Sequence, residues 1–156
     1  MNSATRLNPA VYPLTLYFDS RCRLCAAEMG NLMVRNTDGL LRFADVWAPD
    51  FEGPPAGTTQ EELLTLIHAR RADGGLLRGV AVFRAAYEAV GLGWVTAATR
   101  WPVIGPLADK VYPVLARNRY RLPQWLVQGL FERASGAAAR RAAARHCKPD
   151  DDQCRL

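Results

Sequence analysis

The stretch Leu14-Thr15-Leu16-Tyr17-Phe18-Asp19-Ser20-Arg21-Cys22-Arg23-Leu24-Cys25 decides the fold, because its two cysteines sit where one kind of structure gives way to another. Residues 14–18 are short, β-branched and aromatic, the pattern of a buried strand. Asp19 and Ser20 are turn and cap formers. After Cys25, Met29, Leu32 and Met33 recur at helical spacing, and Leu24 and Glu28 fit the same helix. The Cys-x-x-Cys tetrad therefore falls at a strand-to-helix junction. There the unpaired backbone N–H groups and the helix dipole favour a thiolate on the first cysteine. A tetrad in that setting points to redox chemistry.

Working outward, the first helix spans residues 23–36, with Asn36 to Gly39 as its stop, and residues 40–46 alternate as a second strand. A loop rich in Pro and Gly covers 47–57. Thr59 and Glu62 have the spacing of a capping box, which opens a short helix through Leu64. Residues 66–70 read as a strand, and Asp73-Gly74-Gly75 turns it into a hairpin with 76–80. Val82, Phe83, Ala86, Tyr87 and Val90 mark a helix that Gly91 stops. The order β-α-β-α-β-β-α predicts an α/β, thioredoxin-like fold of three layers around a four-stranded mixed sheet. Further helical pieces are expected at 94–100, 106–118 and 123–145, followed by a polar tail. The division expected is a thioredoxin-like domain over 1–93, a helical extension over 94–146 packed on it, and a mobile tail over 147–156.

A chain of 156 residues is long enough for one domain with a real core. With 49% hydrophobic and 22% charged residues it reads as globular rather than disordered. The net charge of +5 is almost all arginine, since only Lys110 and Lys148 are lysines. Arginine and alanine rise together, as under a nucleotide-composition bias, so no nucleic-acid partner is expected. The longest uncharged stretches are about a dozen residues, below the ~20 that span a bilayer, so no transmembrane segment is expected. Pro9 and Pro13 interrupt the N-terminal apolar run and no small-residue cleavage site follows, so a signal peptide is not expected and the location is read as cytoplasmic. In that compartment the four cysteines point to redox chemistry or metal before structural disulfides.

Residues 17–25 resemble the D-x-x-C-x-x-C signature of the DCC family of predicted thiol-disulfide oxidoreductases. The likeness continues through His68, Asp73-Gly74, Gly79 and the run Ala116-Arg117-Asn118-Arg119-Tyr120-Arg121, roughly residues 14 to 122. The resemblance implies a thioredoxin-like fold, a dithiol-disulfide activity, and Asp19, Cys22 and Cys25 as the catalytic set. One departure stands out. Thioredoxins place a cis-proline before the third strand, beside the cysteine pair, where it helps to dock substrate. Here no proline lies between Pro55 and Pro102, so docking must differ.

Each candidate has a competing structural reading. Cys22 is expected to be the exposed nucleophile and Cys25 the shielded residue that resolves a mixed disulfide. Asp19 could accept the Cys25 proton or cap the turn. A carboxylate near Cys22 opposes a thiolate, which favours the cap. His68, inside a strand, reads as a hydrogen-bonded structural histidine, and His146 has no clear role. Cys147 and Cys154 are separated by six residues, a long spacing for a zinc knuckle. A tail disulfide or no role ranks first for them, an electron relay second and zinc third. Arg117, Arg119, Arg121, Arg133, Arg140, Arg141 and Arg145 read as a solvated helix surface, and Trp94, Trp101 and Trp125 as packing for the C-terminal helices. The function expected is exchange of disulfides through Cys22 and Cys25 on a protein or small-molecule substrate, with no metal and no organic cofactor. The alternative is a non-catalytic adaptor on the same scaffold. The sequence does not give the oligomeric state.

Overall fold

Strand β1 (Leu14–Phe18) is an inner strand of a four-stranded mixed sheet ordered β2-β1-β3-β4. This is a computed structural model, and it describes residues 7–127 and Gly129. Strand β2 (Leu41–Asp45) lies parallel to β1, from Leu14 opposite Leu41 to Phe18 opposite Asp45. A parallel neighbour requires a crossover, and helix α1 (Arg23–Arg35) supplies it. Strand β3 (His68–Arg70) runs antiparallel on the other side, and β4 (Leu76–Arg78) pairs with it as a hairpin. Helices α2 (Gln60–Thr65), α3 (Val80–Ala89), α4 (Ile104–Arg117) and α5 (Gln124–Val127) complete the described chain, with short 3-10 turns at Ala97–Arg100 and Arg119–Arg121. The α/β, thioredoxin-like order expected from the sequence is the one observed.

Alternation along β1 sets the layers, since successive side chains take opposite faces of a sheet. Leu14 and Leu16, fully buried, pack with Met29 and Leu32 of α1 and with Val82 and Ala86 of α3. Tyr17 turns to the other face and packs with Val46 and with Leu63 of α2. The core is thus split by the sheet, and α1 emerges directly from the end of its most buried strand.

Several boundaries differ from the sequence reading for local reasons. β3 begins at His68 rather than at residue 66, because Leu66 caps α2 with its N–H on the Glu62 carbonyl at 3.1 Å. β4 ends at Arg78 because Gly79 takes φ +61, which also starts α3 at Val80, two residues ahead of Val82. The capping box forms, with Glu62 N–H on Thr59 Oγ1 at 3.2 Å and Thr59 N–H on the Glu62 carboxylate at 2.9 Å. Of the helical piece expected at 94–100, only the 3-10 turn at Ala97–Arg100 forms. Helix α4 opens at Ile104, so Pro106 sits in its first turn, where the missing N–H would have had no partner. The helix expected on to Arg145 and the tail over 147–156 lie outside the described residues beyond α5.

The tryptophans correct a further expectation. Trp94, Trp101 and Trp125 are 75%, 65% and 72% exposed, so among the described residues they do not pack the C-terminal helices. Small residues do that work. Gly105 and Ala116 are the buried positions of α4, and a Cβ on Gly105 would come within 2.8 Å of the Thr99 carbonyl oxygen. Tyr112 adds a large contact, its ring set edge-on to Phe83 at 5.5 Å.

Candidate active site

Cys22 is the N-cap of α1, with φ −87 and ψ 111, outside helical geometry. Its carbonyl accepts the first helical bond, from Ala26 N–H at 2.9 Å. Its sulfur takes the place of a capping Ser or Thr oxygen, accepting the Cys25 N–H at 3.3 Å. Cys25, one turn on, directs its own thiol at Cys22 with the sulfurs 2.7 Å apart, and both cysteines are free. The Cys25 S–H is the main reason why the Cys22 thiol drops from 9.0 to about 7. Burial opposes that drop, while the Cys25 N–H and the Arg119 guanidinium assist it. The same contact, together with burial, holds the Cys25 thiol well above its ordinary value. Cys22 is therefore the member of the pair that loses its proton first, and once it has, the remaining proton resides on Cys25.

Exposure is the reverse of what the sequence suggested. Cys22 has 0% of its surface exposed, whereas Cys25 is half-buried. The Arg119–Arg121 turn of the C-terminal extension packs on α1, a contact that a sequence reading ending the domain near Gly93 does not supply.

Asp19 is 2% exposed and fully engaged. Its Oδ1 accepts the Arg21 N–H at 3.0 Å and the Trp47 indole N–H at 2.9 Å. Its Oδ2 meets the Arg119 guanidinium at 3.3 Å and accepts the Tyr120 hydroxyl. Arg119 also reaches the Leu64 carbonyl, and Arg21 stacks over the Trp47 ring at 3.7 Å. Asp19 thus caps and anchors, joining the end of β1 to a turn 100 residues away. Arg119, only 7% exposed, does not belong to a solvated basic face, although Arg117 and Arg121 are exposed. The run Ala116–Arg121, which contributed to the family resemblance, was the signal that could have marked Arg119 and Tyr120. Trp47 gave none, because it stood at the edge of a loop.

His68 is buried and bonds the Leu66 carbonyl through Nδ1 at 2.9 Å, with burial holding its pKa below the usual value. Beside the pair, the segment ahead of β3 holds no proline; the Ile67 N–H instead donates to the Tyr112 hydroxyl of α4 at 3.2 Å. The cis peptide among the described residues is Tyr12–Pro13, ahead of β1. An apolar cavity of about 420 Å³ lies against Cys25, with Leu24, Glu28, Phe83, Tyr112 and Leu122 also in its wall. Among the described residues no group of three or more His, Cys, Asp or Glu is placed to hold a metal ion. No described helix is long and apolar enough to cross a membrane. Arg133, Arg140, Arg141, Arg145, His146, Cys147 and Cys154 lie outside the described residues.

A dithiol capping a helix at the end of a buried strand, on a four-stranded mixed sheet, is a thioredoxin-like arrangement. The chain belongs to the DCC1-like thiol-disulfide oxidoreductase family, which matches residues 16–125 and so includes Asp19, Cys22, Cys25, Arg119 and Tyr120. It is also 37% identical over 116 residues to an uncharacterized chloroplastic protein of Arabidopsis thaliana, a match covering 73% of this chain and 54% of that protein. The chain thus spans about half the length of that curated relative. No solved structure matches it.

Proposed function

We propose that this chain is a thiol-disulfide oxidoreductase whose working couple is Cys22 and Cys25. The observation that carries the reading is the Cys22 sulfur at the N-cap of α1, lowered to about 7 by the Cys25 thiol 2.7 Å away. The Cys22 thiolate attacks one sulfur of a substrate disulfide. That S–S bond breaks, a mixed disulfide forms on Cys22, and the first substrate thiolate leaves and takes a proton. Cys25 then gives up its proton and attacks the Cys22 sulfur, releasing the second thiolate and closing the Cys22–Cys25 disulfide. The substrate gains two electrons and the dithiol loses two, which a thiol reductant restores in the next cycle. Because Cys22 is inaccessible, attack on a large substrate requires the side chains over the first turn of α1 to move. Asp19 acts as a positioning residue in this scheme. No metal or organic cofactor and no nucleic acid has a part in it, and a cytoplasmic location belongs to the same proposal.

Trapping tests the assignment. Cys25→Ser is expected to hold a covalent adduct with a disulfide substrate at Cys22, seen by mass spectrometry, and Cys22→Ser to hold none. Equal adducts on Cys25 in the Cys22→Ser chain would overturn the division of roles. The complete burial of Cys22 favours a second reading, a non-catalytic adaptor. Failure of the unmodified chain to turn over any disulfide with a dithiol reductant would support the adaptor.

A further inference from the structure

Of the twelve large apolar or aromatic side chains exposed among the described residues, ten lie between Trp94 and Trp125, so the apolar surface belongs to the C-terminal extension. On α4 that surface is ordered. Val103 at the N-cap, and Leu107, Val111 and Val114 within the helix, are each more than half exposed. At 3.6 residues per turn the four fall within about 80° of arc, as one continuous stripe. Gly105, Tyr112 and Ala116, through which α4 meets the rest of the fold, fall on the opposite side. The stripe therefore looks away from the core along the length of the helix. Trp101 marks its start, with its carbonyl accepting the Gly105 N–H at 2.8 Å, and Trp125 follows α4 in α5. An apolar surface this concentrated marks a contact with something outside the domain.

The charges beside the stripe have one sign. Lys110 and Arg117, both exposed, lie within about 40° of its Val103 edge, whereas Asp109, the one acid of α4, stands about 120° round. A second copy seated on the same face would bring cations against cations. The rest of the sequence offers little to cover it, since no Val, Ile, Leu, Met, Phe, Tyr or Trp occurs between Phe131 and Leu156. An apolar stripe edged by cations fits a surface that is apolar within and anionic without.

We propose that α4 docks this chain on an anionic lipid bilayer, with Val103, Leu107, Val111 and Val114 set into the acyl boundary and Lys110 and Arg117 at the lipid phosphates. An amphipathic helix binds in this way while lying in the plane of the surface, and needs no spanning segment. Trp94, Trp101 and Trp125 suit the same surface, because indole rings favour the membrane–water interface. The proposal stands apart from the redox reading of Cys22 and Cys25.

The test uses the full chain with vesicles of phosphatidylcholine alone and of phosphatidylcholine mixed with phosphatidylglycerol. Co-sedimentation with the mixed vesicles is expected, with little on phosphatidylcholine alone and release at high salt. Leu107→Asp together with Val111→Asp should weaken binding about tenfold or more, and Lys110→Gln and Arg117→Gln about fivefold each. These variants leave Arg133, Arg140, Arg141 and Arg145 untouched. Equal binding by the variants and the unmodified chain would therefore place the attraction elsewhere and overturn the proposal. Absent binding to the mixed vesicles would overturn it as well, in favour of an acidic protein partner. Because the substituted positions are exposed, the unfolding midpoint of each variant should match that of the unmodified chain. A lowered midpoint for Leu107→Asp with Val111→Asp would show the stripe already covered by this chain. A dimer in sedimentation equilibrium that the same variant dissociates would show it covered by a second copy. Either result refutes docking on lipid, and none of these measurements depends on Cys22 or Cys25.

Discussion

Replacing Cys25 by Ala and by Ser separates the hydrogen bond at Cys22 from everything else that acts on that sulfur. In the native pair the Cys25 S–H is the largest influence lowering the Cys22 thiol from 9.0 to about 7. Alanine removes that donor but leaves the Cys25 N–H, the helix N-terminus and Arg119 in place. Serine keeps a donor on the same rotor. With a pKa of about 7 the thiol is about half ionised at pH 7, whereas at 9.0 about 1% is ionised, so up to about fiftyfold in thiolate is at stake. Cys25→Ala should therefore raise the Cys22 pKa toward 9, and Cys25→Ser should hold it near 7. Thiolate absorbance at 240 nm, followed against pH in a Cys147→Ser, Cys154→Ser chain, reads this directly and does not need reagent access to a buried sulfur. If Cys25→Ala still titrates near 7, the helix N-terminus and Arg119 suffice, and the donor role given to Cys25 is wrong.

Three further outcomes are expected. Arg119→Met leaves Asp19 as a buried carboxylate without its cation, which should cost about 3–5 kcal/mol in denaturant unfolding and speed iodoacetamide labelling of Cys22; a loss under about 1 kcal/mol would show that the pair is not an anchor. Gly79→Ala forces a side chain into φ +61, ψ −133 with its Cβ 3.4 Å from the Tyr112 ring, and should cost about 1–3 kcal/mol by the same measurement; an unchanged midpoint would place the strain elsewhere. Burial raises the folded-state pKa of Glu28 above its ordinary 4.5, so its contribution to stability is fully present below that value and is lost as pH rises through the folded value. Melting temperatures of the unmodified chain should accordingly fall relative to Glu28→Gln as pH rises from about 4, and parallel curves would refute the assignment.

The strand-turn-helix around Cys22 was legible because each of its signals is local. Residues 14–18 could be read from β-branched and aromatic content, and the capping box from the spacing of Thr59 and Glu62, without knowing what packs on either. What could not be read was long-range. No local signal links Asp19 to Arg119 and Tyr120, so a buried ion pair passed for a turn cap plus a surface arginine. In α4 apolar residues occur on more than one face: Leu107, Val111 and Val114 are exposed, while Gly105 and Ala116 are buried. Hydrophobicity alone therefore points the wrong way there. The close approach of α4 depends on the absence of a side chain at Gly105, a signal that only the partner surface reveals. The sulfurs were expected in contact, but their exposure is set by tertiary burial that no local pattern states.

Asp19 sets the puzzle that the extension resolves. A carboxylate three residues before a thiol raises that thiol's pKa, and Asp19 does act on Cys22 in that sense. Arg119 acts in the opposite sense and more strongly, so the pair taken together favours the thiolate. Asp19 can therefore tie the loop after β1 to Trp47 and the Arg21 amide without suppressing the nucleophile, provided that Arg119 is present. The 3-10 turn that carries Arg119 packs on α1, and Cys22 has no exposed surface. Any movement of that turn that takes Arg119 away removes the cation and makes the thiolate less favourable, while Asp19 is left to oppose it. A small molecule that enters the cavity meets Cys25 with the Arg119–Asp19 pair still in place.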